Sequence, residues 1–172
     1  IIGGFGSGTV SYLTEVNIKS GGAIIDSQSY SVTIPQALSH HPDLGAALDG
    51  GLTKRGTGLL TLTTNNTYNG VTSIEAGALK LGVSLALLPE SSVLVASNAV
   101  FNVNGKSQVI AGLGGSGTVT NNDQLTVTQG VAPGGTNAVG TLTLATPPSA
   151  WGGTFLVDVT TNGACDRVHV QG

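Results

Sequence analysis

Gly51-Leu52-Thr53-Lys54-Arg55-Gly56-Thr57-Gly58-Leu59-Leu60-Thr61-Leu62 is the stretch whose reading decides the fold. Leu60-Thr61-Leu62-Thr63 alternates apolar and polar residues with the period of two that a half-buried strand requires. A Gly-x-Gly phrase, Gly56-Thr57-Gly58, stands directly before it. Further on, Val71-Thr72-Ser73-Ile74-Glu75 and Gly77-Ala78-Leu79-Lys80-Leu81 alternate in the same way, with Asn69-Gly70 as the turn ahead of them.

The phrase recurs on both sides. Gly6-Ser7-Gly8-Thr9-Val10 precedes Glu15-Val16-Asn17-Ile18-Lys19 and then Gly21-Gly22-Ala23-Ile24-Ile25-Asp26. Gly115-Ser116-Gly117-Thr118-Val119 precedes Gln124-Leu125-Thr126-Val127-Thr128, Val131-Ala132-Pro133-Gly134-Gly135 and Gly140-Thr141-Leu142-Thr143-Leu144. Aliphatic residues fall on one face of each strand and Thr, Asn or Lys on the other. Turn residues at Asn104-Gly105, Asn121-Asn122-Asp123 and Asn162-Gly163 continue the punctuation.

Two all-β architectures produce short strands at such spacing, a sandwich and a solenoid. A sandwich core is built on aromatic residues, and only 4% of this chain is aromatic. Stacked coils place like residues over one another, which favours small β-branched side chains and penalises charge. The chain is 9% charged and rich in Thr, so the solenoid is expected. With 40% hydrophobic residues the chain has the means to build a core and does not read as disordered. Its 172 residues read as one solenoid domain, 1–172, a piece of a longer chain, since Met is absent and no signal peptide is present.

Two segments interrupt the alternation. Residues 35–50 form the larger, a loop excursion from the coil, with a short helical turn expected around Gln36 to Ser39. Ala145 to Trp151, around Pro147-Pro148, reads as a smaller one, because proline cannot donate to a ladder.

Beyond Leu62 the decisive stretch continues Asn65-Asn66-Thr67-Tyr68-Asn69-Gly70, then Val71 to Glu75 and Ala76-Gly77-Ala78-Leu79. Residues 51–82 closely resemble the passenger-associated, or autotransporter-associated, β-strand repeat of bacteria. Its pattern is a Gly-Leu-Thr-Lys-x-Gly-x-Gly-x-Leu-x-Leu opening, an Asn-Thr-Tyr-x-Gly corner and an Ala-Gly-x-Leu close. The resemblance implies an all-β fold, a right-handed parallel β-helix (β-solenoid), together with export and membership of a long surface or secreted polypeptide. It does not imply an enzyme.

Searches for chemistry return little. Gly112-Leu113-Gly114-Gly115-Ser116-Gly117 has G-x-G-x-x-G spacing, but strand and turn residues follow it where a dinucleotide site needs a helix. Gly3-Gly4-Phe5-Gly6 and Gly114-Gly115-Ser116-Gly117 open like a calcium-roll nonapeptide and lack its ligand Asp. Glu15, Asp26, Glu75, Glu90, Asp123, Asp158 and Asp166 stand apart, whereas glycoside-cleaving sites need paired carboxylates. His40-His41-Pro42-Asp43 is the only dense group of metal-ligand types. Adjacent histidines on extended backbone point oppositely, so at most one shares a site with Asp43, and a solvated loop is the expectation. Trp151 is read as a cover for the solenoid edge, with a sugar-stacking platform as the functional alternative. Tyr68 is expected to cap the coil interior, and Cys165 to be an unpaired, half-buried thiol or an interchain partner.

The expectation is therefore a non-enzymatic structural or stalk segment without cofactors, at the bacterial surface or secreted. Net charge of −3 without a basic patch argues against nucleic acid, and no apolar run has membrane-spanning length. Neither Ile1-Ile2-Gly3 nor His169-Val170-Gln171-Gly172 reads as a polar cap, so the expected partners are further copies stacked end to end or by strand addition, or adjoining domains. The alternatives are an adhesin binding surface glycans, by way of Trp151, His40 and His41, and, behind it, a β-helix lyase or glycosidase.

Overall fold

A computed structural model describes residues 7–9, 15–120, 122–135, 138–147 and 149–171, apart from the side chain of Trp151. The readings of Ile1 to Gly3, of Gly3 to Gly6 and of Asn121 and Pro148 lie outside these residues. Numbered in chain order, one eight-stranded sheet holds β1 (Gly8–Thr9), β4 (Val32–Ile34), β7 (Leu59–Leu62), β9 (Ala78–Leu81), β11 (Val100–Asn102), β13 (Thr118–Thr120), β15 (Thr141–Leu144) and β18 (Arg167–Val170). A second holds β3 (Ala23–Asp26), β6 (Leu52–Arg55), β8 (Thr72–Ile74), β10 (Ser92–Val95), β12 (Gln108–Gly115), β14 (Leu125–Pro133) and β16 (Ala150–Trp151), with β17 (Thr154–Phe155) also on β14. β2 (Val16–Ile18) and β5 (Leu38–His40) start a third side, continued by Asn66 to Tyr68, Ala86-Leu87 and the first halves of β12 and β14. Every pairing between these strands is parallel, and each strand lies beside its counterpart one coil away. The chain is an all-β parallel solenoid.

The period-two alternation does what it predicts. Along β7, Leu60 and Leu62 are buried while Leu59 and Thr61 are half-buried on the outer face. Stacking places Val32, Leu60, Leu79, Phe101, Val119 and Leu144 in one inward ladder, all buried. Leu52, Thr72, Val93, Leu113 and Val131 form its counterpart on the second sheet. Each fully buried aliphatic side chain contributes roughly 1.5–3 kcal/mol, so these ladders are the core. Thr33, Thr61, Lys80, Asn102 and Thr120 make an outer column on the first sheet.

The recurring Gly-x-Gly phrase is a corner at which one coil passes hard against the backbone of the coil before it. Gly56 has φ +77°, and a Cβ on Gly58 would lie 2.0 Å from the carbonyl oxygen of Tyr30. Gly115 has φ +99°, and a Cβ on Gly117 would lie 2.4 Å from the carbonyl oxygen of Ala96. The first glycine supplies the left-handed turn and the second the close approach. The G-x-G-x-x-G stretch thus belongs to β12 and its corner, with no helix following.

The two expected excursions need correction in bounds and form. The helical turn lies at Pro42–Leu44, a 3-10 turn capped by His41, rather than around Gln36 to Ser39. Leu38–His40 are instead paired with Val16–Ile18, because Leu38 is needed in the core. The expected loop around Pro147 is present between β15 and β16, but its described residues stay on the coil: the Thr146 N–H donates to Asn122 Oδ1 and the Ser149 N–H to Leu125 O. The real second departure is residues 156–166, a hairpin with an antiparallel bridge between Val159 and Cys165.

Candidate functional site

The polar chemistry of the molecule gathers at the neck of the first excursion. Asp49 closes that excursion, and its side chain is completely shielded from solvent. Its Oδ1 accepts from the N–H groups of Gly51 and Gly70, each at 2.9 Å. Its Oδ2 accepts from the N–H of Asn69 at 2.9 Å and faces His40 Nδ1 at 2.9 Å. The Asp49 N–H in turn donates to Asn69 Oδ1 at 2.8 Å. One carboxylate therefore ties the excursion to the Asn69-Gly70 corner of the next coil. Burial disfavours its charge, yet the bonds from Asn69, His40, Gly51 and Gly70 outweigh that cost and hold its pKa below the ordinary carboxylate value.

His40 ends β5 with its imidazole directed into this neck. Nε2 lies 3.1 Å from the carbonyl oxygen of Gly45 while Nδ1 meets Asp49. The hydrogen bond with Asp49 raises the pKa of His40 above its ordinary value, against a smaller effect of burial, with the Gly45 carbonyl adding to the rise. His41 is separate: its Nδ1 accepts from the Asp43 N–H at 3.1 Å and stands 3.5 Å from the exposed Asp43 carboxylate. The two histidines thus face different aspartates, and both ring nitrogens of His40 are taken. No group of three His, Cys, Asp or Glu side chains converges among the described residues.

Lys54 is the second concentration of polarity. It occupies the inward ladder between Ile25 and Ile74 and is fully buried, contrary to the expectation that lysine keeps to the outer face. Its Nζ donates to the carbonyls of Arg55 at 2.7 Å, Gly56 at 2.8 Å and Ala76 at 3.1 Å. An ammonium has three donors, and all three are used. Burial pushes its pKa down to about 8, with the charge of Asp26 working the other way. The lysine of the repeat opening is thus an internal fastener for the glycine corner. Tyr68 sits beside this layer, buried, with its hydroxyl 2.7 Å from Thr72 Oγ1.

Two outer carboxylates, Asp26 and Glu75, share a column without meeting. Asp26, Arg55 and Glu75 follow one another in one column, and Arg55 Nε donates to Glu75 Oε2 at 2.7 Å. Two coils separate Asp26 from Glu75, roughly 10 Å, with a cation between them. At the far end a cleft of about 470 Å3 is lined by Val131, Thr154, Phe155, Val168 and Val170. Trp151 closes β16 opposite Val127, and its side chain lies outside the described portion. Sequence reasoning singled out His40 but missed Asp49 and Lys54. The signal for Asp49 was its place at the end of the excursion just ahead of Gly50-Gly51.

Comparison with known proteins agrees with this architecture. Residues 52–81 match the family described as the Passenger-associated-transport-repeat, the segment that runs from β6 to β9. The chain is 31% identical over 118 residues to a protein named Adhesin BmaC autotransporter from Brucella suis biovar 1 (strain 1330). That alignment takes in 67% of this chain and 4% of the relative, so the chain spans a small fraction of that protein's length. No solved structure gives a significant match.

Proposed function

From a β-solenoid that carries a passenger-associated transport repeat, we propose a non-catalytic, load-carrying length of a bacterial secreted or cell-surface protein. The observation that carries this reading is the pair of inward ladders running through successive coils without a break. Each coil satisfies its backbone groups on its neighbours, so rigidity is a property of the stack and needs no ligand. The outer columns present threonine and alternating charge, which is what a passive surface needs. Its partners in this reading are adjoining coils or further copies meeting end to end. The expected outcome is a protease-resistant chain that turns over no polysaccharide and elongates with concentration. Sedimentation analysis with an assay of lyase and glycosidase activity checks it. Turnover of any polysaccharide would overturn the non-catalytic reading, and dispersed monomers at high concentration would overturn end-to-end association.

A second reading, adhesion, is favoured by one observation. A relative that is 31% identical over 67% of this chain is called an adhesin. Here the first excursion or the Trp151 region would contact a surface glycan. A glycan array probed with the chain and with Trp151→Ala and His41→Ala decides it: binding lost in a variant supports adhesion, and an empty array removes it.

A further inference from the structure

A single imidazole closes the neck of the first excursion. His40 ends β5, Asp49 lies where the chain rejoins the coil, and Gly45 stands midway along the excursion. The two ring nitrogens of His40 meet Asp49 Oδ2 at 2.9 Å and Gly45 O at 3.1 Å. Both partners are acceptors. A neutral imidazole carries one N–H and one lone pair, so either tautomer sets that lone pair against an oxygen; the imidazolium alone donates to both.

The geometry points to a proton-operated latch: a proton on His40 holds residues 42–48 against the solenoid, and its loss frees the middle of the excursion while the coils stay folded. The coils persist because Asp49 keeps its three backbone partners, Gly51, Asn69 and Gly70, whatever the state of His40. Residues 42–48, by contrast, bury none of their side chains, and Leu48 is 70% exposed. The His41 N–H still donates to the Ile18 carbonyl of the preceding coil at 3.0 Å, and beyond it the backbone bonds are local, Gly45 to Pro42 and Ala47 to Leu44. Two bonds return the excursion to the coil, the short one from His40 to Gly45 O at its middle and a long one, 3.5 Å, from Asn69 Nδ2 to Ala47 O near the neck.

The groups acting on His40 are Asp49 at the neck, the Gly45 carbonyl on the excursion and the Asn69 side chain on the next coil. His41 and Asp43, also on the excursion, face each other. Lys19, on the preceding coil beside the Ile18 that pairs with His40, is exposed. The sense follows: with His40 raised above its ordinary value, the latch is shut at and below that value and opens as pH rises through the raised one. Asp49, held low, keeps its charge through mild acid.

The test uses hydrogen exchange across residues 42–48 of the full chain, corrected for intrinsic exchange, together with nitrogen-15 titration of the histidine rings. Loss of a charge-assisted bond predicts opening that increases on the order of tenfold across the His40 titration. Both ring nitrogens of His40 carry protons below the transition. The 158–166 hairpin, which has no histidine, stays flat. His40→Gln abolishes the step and His41→Gln retains it. Flat exchange in the unaltered chain overturns the latch, as does a step that survives His40→Gln. So does a neutral His40 ring at pH 6, a result that needs no variant to fold.

Discussion

Among the described residues two stretches leave the coil, 42–48 and 156–166, and each is pinned at its neck by a buried aspartate. Asp49 gathers the N–H groups of Gly51, Asn69 and Gly70 and the ring of His40. Asp166 gathers the N–H groups of Gly140, at 2.7 Å, and Asp158, at 2.9 Å. The device is the same: a carboxylate does between coils what a strand cannot do where the chain has left the ladder. The difference is the imidazole. At the first neck a histidine shares the carboxylate and reaches on to Gly45, while the second excursion closes on itself through the Val159–Cys165 bridge and the Thr160–Gly163 turn. An excursion with its own hairpin needs anchoring only at its base; one without needs a grip on its middle as well.

The comparison breaks most sharply at Asp49. Asp49→Ala strands three backbone donors and an imidazole, and a loss of about 3–5 kcal/mol in unfolding free energy is expected from urea titration. A loss under about 1 kcal/mol would mean that the neck is held by something other than this carboxylate. The next effect is set by pH. Lys54, at about 8 in the folded chain against 10.5 ordinarily, makes the unfolded state bind more protons between those values. Stability contributed by this residue therefore rises from about pH 8 upward, by at most about 3 kcal/mol. His40 acts in the opposite sense, its contribution present below the ordinary histidine value and lost through its raised one. Unfolding of Lys54→Met, followed from the ordinary histidine value up to pH 10.5, removes the rise above about pH 8 and leaves the fall due to His40, which begins at lower pH. Smaller still is Asp166→Ala, which strands two donors on the last coil; about 1–2 kcal/mol is expected by the same titration, without a histidine-linked pH dependence. His41→Gln comes last. Its approach to the Asp43 carboxylate is long, at 3.5 Å, and that partner is exposed, so a change of about 0.5 kcal/mol or less in thermal unfolding is expected.

Much of this fold was legible because its rules are local. Leu59 to Leu62 alternates, and the strand follows; Gly56 and Gly58 stand where no Cβ fits, and the corner follows. Tyr68 reads as an interior cap and is one. Lys54 was not legible, since its acceptors are main-chain carbonyls, one of them Ala76 on the next coil. Asp49 is concealed for the same reason: its partners are N–H groups, which every residue but proline possesses, brought near from Asn69 and Gly70 by the stacking. The 156–166 hairpin was missed because Leu156-Val157-Asp158-Val159 alternates as a coil strand does, although Leu156, Val157 and Val159 are exposed. Alternation reports that a strand can form and not which neighbour it will find.

The glycine corners also decide where such a chain can change its length. A residue inserted within β7 would turn Leu62 outward and misalign it against both adjoining coils, since side chains alternate strictly along a strand. A residue inserted at Thr57 would have to pass between glycines with no room beside Tyr30. Beyond the necks at Asp49 and Asp166 neither constraint applies, and lengthening there leaves the count of every ladder untouched. Descendants of this chain are therefore expected to differ in size by whole coils or by the lengths of these two excursions, and to be nearly invariant in the spacing between.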